Sequence, residues 1–373
     1  MLSKFEVSGF RGFKDKFTFD LNQAKDYAFN TEAVSNGVIK KGIIFGTNGA
    51  GKSNLGLAIF DIIFHIAQGF GSSSAYNSNY LNLESAQDYA EFTYYFNFDG
   101  NTVLYKYKKK AINNILSEEV FINDRLVASI DKSQNSTMFL DLDGADNLVK
   151  NLSETKILSI VPYIYRNTVL NENQENSTFN KFVEFVEKML LFKSIEGFRY
   201  LGLEPEAKGI TQDIIENNNV DDFNQFLNDS GVECKLTIVD KEDGTQTIAF
   251  DFGEKKLQFW TGASTGTKAL ALFYYWMQRL QREDTVSLVF IDEFDSFYHH
   301  ELSVEIVERL KKIKSQVLLT THNVSVMSND ILRPDCYFIM KKTEISPLYS
   351  KTSKELREAH NLGKMYKAGT FNG

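Results

Sequence analysis

The sequence has 373 residues, 43% of them hydrophobic and 24% charged, as expected for a globular chain of roughly two domains or lobes with a large core. A net charge of -8 does not suggest a dedicated nucleic-acid coat, although it leaves room for a local basic face. No apolar run approaches the ~18 residues of a membrane span, no signal-peptide block follows Met1, and Cys234 and Cys336 lack metal-ligand spacing, so a cytoplasmic location is expected.

Residues 2–21 alternate apolar and polar around Phe5, Val7, Phe10, Phe13, Phe17, Phe19 and Leu21, which predicts two short strands joined by the turn Gly9-Phe-Arg-Gly12. Arg11 and Lys14 can touch a ligand or serve as solvated surface charges. A polar connection with a little strand at 37–40 leads to the apolar run Gly42-Ile-Ile-Phe45. Then comes Gly46-Thr-Asn-Gly-Ala-Gly-Lys-Ser53, followed by a helical pattern over Asn54–Phe64 that is expected to end near Gly69–Gly71. This fits G-x-x-x-x-G-K-[ST] in its proper place, between a strand and a helix. Glycines let the backbone wrap a phosphate and turn successive N–H groups, with the helix N-terminus, toward negative charge. A nucleoside triphosphate is therefore expected on Gly46, Asn48, Gly49, Ala50, Gly51, Lys52, Ser53 and Asn54. Lys52 would reach the β- and γ-phosphates and Ser53 would ligate Mg²⁺.

Gly71–Asn79 reads as a loop, and Tyr89 to about Leu140 as antiparallel β. Asp99-Gly100-Asn101 and Asn123-Asp-Arg125 mark two hairpins. Lysine and tyrosine interleave from Tyr105 to Lys110, a pattern that suits single-stranded nucleic acid or the solvent face of a lysine-protected edge strand. After Pro162 the pattern is helical: Phe179, Phe182, Val183, Phe185, Val186, Met189 and Leu190 form one set, and Ile214, Ile215, Phe223, Phe226 and Leu227 another. Asn171–Asn176 reads as a loop, and the helical part over 166–232 as an insertion whose apolar stripe is core or faces a partner. It would divide an N-terminal lobe, 1–165, from a C-terminal lobe, 233–373.

Strands return at Cys234–Val239 and Thr247–Phe252 about the turn Glu242-Asp-Gly244. Thr261–Lys268 opens a helix ending near Arg282, and Glu301–Lys312 and Glu355–Tyr366 read as further helices. The apolar strands Ser287–Ile291 and Gln316–Thr320, alternating with helix, imply a parallel, doubly wound α/β sheet. Leu288-Val-Phe-Ile-Asp-Glu293 would deliver two carboxylates at a strand's C-terminal end, where ligands sit in such sheets. Asp292 would hold Mg²⁺, and Glu293 would orient or deprotonate the attacking water. Ser264-Thr-Gly266 at a helix start offers a hydroxyl and N–H groups to a γ-phosphate or a plain helix cap. His322, at the end of the next strand, would hydrogen-bond the γ-phosphate or be an ordinary polar strand end.

In this order the motifs resemble the ABC-type ATPases of the SMC/RecF/OLD group: Phe10-Arg-Gly-Phe13, the phosphate loop, a signature at Ser264-Thr-Gly-Thr267, the acid strand, a D-loop at Asp295-Ser296 and a histidine switch at His322. The resemblance covers roughly 1–70 and 235–373, and Ser-x-Gly-Thr is similar to the stand-alone ATPases of anti-phage and abortive-infection systems. It implies a P-loop NTPase with an ABC-type head, a mixed sheet beside an antiparallel β subdomain, and an inserted helical subdomain. It also implies ATP and Mg²⁺ as ligands, and a homodimer or larger assembly that sandwiches ATP. In that sandwich Ser264 and Gly266 of one protomer would complete the site formed by Lys52, Asp292, Glu293 and His322 of the other, and Asp295 is expected among the nucleotide-binding residues. The chain ends soon after His322, without a Toprim-type domain, so a separate toxic effector, such as a nuclease, and a phage trigger are expected partners. The alternative is a RecF-like DNA-maintenance ATPase.

Overall fold

The computed structural model describes residues 1–67, 79–153, 157–193, 199–202, 209–281, 286–296 and 300–371. The expected helix end at Gly69–Gly71 and loop at Gly71–Asn79 lie almost wholly outside them. In chain order the first elements are β1 (Leu2–Ser8), β2 (Phe17–Asp20), β3 (Val34–Ser35), β4 (Val38–Ile39), β5 (Lys41–Phe45), α1 (Lys52–Ile59) and α2 (Ile63–Ile66). Then follow β6 (Ala90–Phe98), β7 (Asn101–Ala111), β8 (Asn114–Ile122), β9 (Arg125–Asp131), β10 (Asn135–Leu140), α3 (Ile160–Asn167), α4 (Gln174–Glu187), β11 (Met189–Lys193) and β12 (Arg199–Gly202). The rest comprises α5 (Ile210–Glu216), α6 (Val220–Asp229), β13 (Leu236–Asp240), β14 (Gln246–Phe252), β15 (Lys255–Gln258), α7 (Phe259–Gly262), α8 (Thr265–Leu280), β16 (Leu288–Asp292), α9 (His300–Lys312), β17 (Gln316–Thr321), β18 (Tyr337–Met340), β19 (Ile345–Pro347) and α10 (Leu362–Lys367).

The main sheet runs β12-β11-β16-β17-β5-β18-β19. Its five inner strands are parallel, and antiparallel β12 and β19 close the edges. Every residue of β5, β16, β17 and β18 is buried, which is why these strands read as unbroken apolar runs. The second large sheet, β10-β9-β8-β7-β6-β1-β2, is antiparallel, and β13-β14-β15 form a small third one. Together they give an α/β architecture in which a mixed main sheet stands beside an antiparallel β subdomain. Gln316 stitches the two large sheets: its Oε1 accepts from Leu2 N at 3.0 Å, and its Nε2 donates to Leu2 O and Ile39 O. Both hairpin turns hold two residues with positive φ, Asp99-Gly100 and Asn123-Asp124, as two-residue type I′ turns require.

Several expectations need correction. β7 is an inner strand between β6 and β8, not an edge. Its alternation points Val103, Tyr105, Tyr107 and Lys109 inward, and Lys109 is fully buried. Met189 and Leu190 belong to β11, because their backbone pairs in parallel with Leu288 and Val289 of β16 instead of continuing α4. That helix starts earlier than expected: Asn173 caps it by accepting from Asn176 N at 2.8 Å, so Gln174–Asn176 are helical. Glu355–His360 are not helical, since Asn329 Nδ2 takes the carbonyls of Arg357, Glu358 and His360, leaving α10 to begin at Leu362.

A buried polar knot fastens the helix after the glycine loop to the antiparallel sheet. The expected single helix over 54–64 breaks between α1 and α2, and Asp61 sits in the break with no exposed surface. Lys109 Nζ donates to Asp61 Oδ1 at 2.7 Å and Tyr107 OH to the same oxygen at 2.9 Å, while Tyr80 OH donates to Oδ2 at 2.8 Å. A carboxylate so deeply buried needs this full set of donors. Burial pulls the Lys109 pKa down, and the Asp61 charge opposes it.

Candidate functional site

β5 carries the chain, fully buried, to Gly46 at the C-terminal edge of the parallel sheet. A Cβ at Gly46 would lie 2.7 Å from the Met340 carbonyl oxygen, so the loop leaves the sheet too close to β18 for any side chain. Gly49 and Gly51 both take positive φ, +77° and +102°, and turn the loop into α1. Gly51 caps α1 with no side-chain acceptor, so no cap side chain occupies the N–H groups of its first turn. Asn48 and Gly49 are exposed and Ala50 is buried; Ser53 and Asn54 are half-buried, with Asn54 Nδ2 beside Gly12 of the first turn.

Lys52 donates to its own loop, to Gly46 O at 2.9 Å, and lies 2.9 Å from His322 Nε2. With the lysine charged, its ammonium is the donor and Nε2 the acceptor. Burial pulls the Lys52 pKa down while Glu293 and Asp292 push it up, so the acids help keep the ammonium charged.

The acids arrive from β16, two strands away from β5. Asp292 is buried and its Oδ1 accepts from Thr320 Oγ1 at 2.7 Å. Glu293 takes a left-handed φ of +48° and places Oε1 3.8 Å from His322 Nε2. Asp295 is held by Thr321 Oγ1, 2.8 and 2.7 Å from its two oxygens. Lys52, Asp292, Glu293, Asp295 and His322 thus converge at the ends of three adjacent strands, although Lys52 and His322 are 270 residues apart.

Ser264 and Gly266 stand apart from this cluster. Ser264 caps α8, its Oγ accepting from Thr267 N at 3.1 Å. A Cβ added at Gly266 would meet only that hydroxyl, at 3.8 Å, so the helix start faces open space. Among the described residues neither makes a hydrogen bond to the glycine loop or to the acids. The interleaved lysines of β7 also resolve. Lys106 pairs across the strands with Glu119, Lys108 with Glu91, Lys110 bonds Asp88 at 2.5 Å, and Lys109 is interior. Acids therefore offset the basic run along its whole length. The motifs passed over the hydroxyls of Thr320 and Thr321; the only signal was their place just before His322.

Hard oxygen ligands suit a small divalent cation, and the Ser53 hydroxyl with the buried Asp292 carboxylate supplies that donor chemistry. Among the described residues no helix is long and apolar enough to cross a membrane. Residues 43–328 match the family described as "AAA domain, putative AbiEii toxin, Type IV TA system". Among curated proteins, none matches the chain. Similar solved structures include an SMC head bound to the C-winged helix domain of ScpA, at 14% identity over 92% of this chain and 96% of that one, TM-score 0.44. The SMC head domain from Thermotoga maritima is 16% identical over 93% and 98%, TM-score 0.41. The recombination mediator RecF with ATP is 15% identical over 93% and 97%, TM-score 0.39.

Proposed function

The chain belongs to that AAA-domain family, and on this premise we propose that it binds ATP with Mg²⁺ and hydrolyses it at the cluster formed by the glycine loop, Asp292, Glu293 and His322. One observation carries the reading: His322 Nε2 lies 2.9 Å from Lys52 Nζ and 3.8 Å from Glu293 Oε1. A phosphate-binding cation and a carboxylate base thereby flank one imidazole nitrogen. In this scheme the loop from Gly46 to Ser53 holds the phosphates through its backbone N–H groups, and Lys52 turns from its own carbonyls to the β- and γ-oxygens. Glu293 orients water and receives its proton, and His322, released when Lys52 turns to the phosphates, would hydrogen-bond the terminal phosphate. Ser53 and Asp292 would hold the Mg²⁺, which when bound neutralises phosphate charge.

The exposed start of α8 supports a two-copy site. Among the described residues Ser264 and Gly266 do no more than cap α8, so ATP would draw them against the loop of a second copy. We place the assembly as the regulatory ATPase of a defence system that controls a separate toxic effector. What supports a place in such a system is the family's description, which names a type IV TA system and a putative toxin of it. Glu293→Gln tests the chemistry: turnover should fall about a hundredfold or more while ATP stays bound, with tighter ATP-dependent assembly in light scattering. Wild-type turnover by that variant would end the proposal. For the defence role, Lys52→Ala should abolish protection from phage at unchanged expression.

A further inference from the structure

β17 ends in two threonines, Thr320 and Thr321, both without exposed surface, and their hydroxyls are fully used. Thr320 Oγ1 donates to Asp292 Oδ1 at 2.7 Å and accepts from Glu293 N at 2.7 Å; its carbonyl accepts from Phe294 N at 3.1 Å. Thr321 Oγ1 donates to the Asp295 carboxylate and accepts from Asn323 N at 2.8 Å. Four successive residues, Asp292 to Asp295, therefore each bond a threonine of one strand end.

The need for such a clamp is visible at Glu293. A φ of +48° is costly for a side-chain-bearing residue, on the order of 1–3 kcal/mol, and persists only where the surroundings fix it. The Thr320 hydroxyl does so by taking the Glu293 N–H from a fully buried strand. Valine would fill the same space and suits an interior strand equally well, so packing alone does not call for a hydroxyl here. Using both its donor and its acceptor on the acid turn does.

Resting on the ATPase reading above, we propose that Thr320 is a positioning residue for hydrolysis. It holds Glu293 in the left-handed turn that faces His322 and orients Asp292, while Thr321 ties Asp295 to the turn after His322. The acid turn and the histidine turn then move as one unit.

The test uses the full chain with ATP turnover, binding of a fluorescent ATP analogue, and melting temperature. Thr320→Val should lower kcat by ~10- to 100-fold, the range of a lost charged hydrogen bond, with KM and analogue affinity changed less than about threefold. Thr320→Ser, which keeps the hydroxyl, should restore most of the rate, an outcome a purely structural role does not predict. If the valine variant is unfolded by its melting curve, Thr320→Ala takes its place with the same expectation. Turnover within about twofold of wild type, a loss confined to KM, or a serine variant as slow as valine at wild-type melting temperature would overturn the proposal. Glu293→Gln separates the two levels. If that variant is dead while Thr320→Val is normal, only the positioning role fails; if it matches wild type, the ATPase reading fails and takes the positioning role with it.

Discussion

Replacing Lys109 with methionine tests the knot that anchors the helix behind the glycine loop. The side chain keeps its length and apolar stem, so little volume is lost, but Asp61 loses the ammonium 2.7 Å from its Oδ1. Neither partner has any exposed side-chain surface, so water cannot stand in for the lost charge. Removing one member of a buried pair costs about 3–5 kcal/mol, because the other charge is left uncompensated. The hydroxyls of Tyr80 and Tyr107 still donate to Asp61, which argues for the lower end, about 3 kcal/mol. Urea unfolding should show the midpoint falling with the slope unchanged. The double variant Lys109→Met, Asp61→Asn should recover part of the loss, since it removes the stranded carboxylate. A single-variant loss below about 1 kcal/mol, or a double variant no better than the sum of the two singles, would refute the ion-pair account.

Lys41 sets a pH dependence. It is 3% exposed, donates to the carbonyls of Ile313 and Ser315, and burial pushes its pKa from 10.5 down to about 6. Above that value the unfolded chain holds a proton that the folded chain lacks, so stability should rise with pH between about 6 and 10.5, by at most ~1.4 kcal/mol per unit. Lys41→Met should flatten that rise in urea titrations between about pH 6.5 and 9; parallel curves for variant and wild type would count against it. Gly56→Ala sets helix propensity against packing: alanine gains ~1 kcal/mol in α1, but its Cβ would lie 2.7 Å from the ring of Phe290, itself fully buried in β16. Overpacking of ~1–3 kcal/mol should win, giving a less stable protein, and a raised melting temperature would contradict this. Asn173→Ala removes the cap of α4 and should cost about 1 kcal/mol in urea unfolding.

The sequence revealed most where chemistry demands fixed residue types. Residue type singled out the glycine loop, Asp292, Glu293 and His322, and the structure brings His322 to 2.9 Å from Lys52 and 3.8 Å from Glu293 at neighbouring strand ends. Patterns hid what long-range partners decide. Lys109 lies on the inward register of Val103, Tyr105 and Tyr107, but its neighbours Lys106, Lys108 and Lys110 made the whole run look like surface. Met189 and Leu190 continue the helical spacing of α4, and only pairing with β16, about a hundred residues on, makes them a strand. Glu355–His360 lose their helix to one asparagine side chain that claims their carbonyls. The clamp by Thr320 and Thr321 could not be seen without knowing that β16 and β17 are neighbours.

That neighbourhood has a further consequence. β17 lies between β5 and β16, so the glycine loop and the acid turn stand two interstrand steps apart, ~10 Å. Backbone hydrogen bonding is the ruler, and no choice of side chain in the loops can lengthen or shorten it. Helices and insertions can therefore drift widely in composition while the width of the gap stays constant; only gaining or losing a strand there would change what fits.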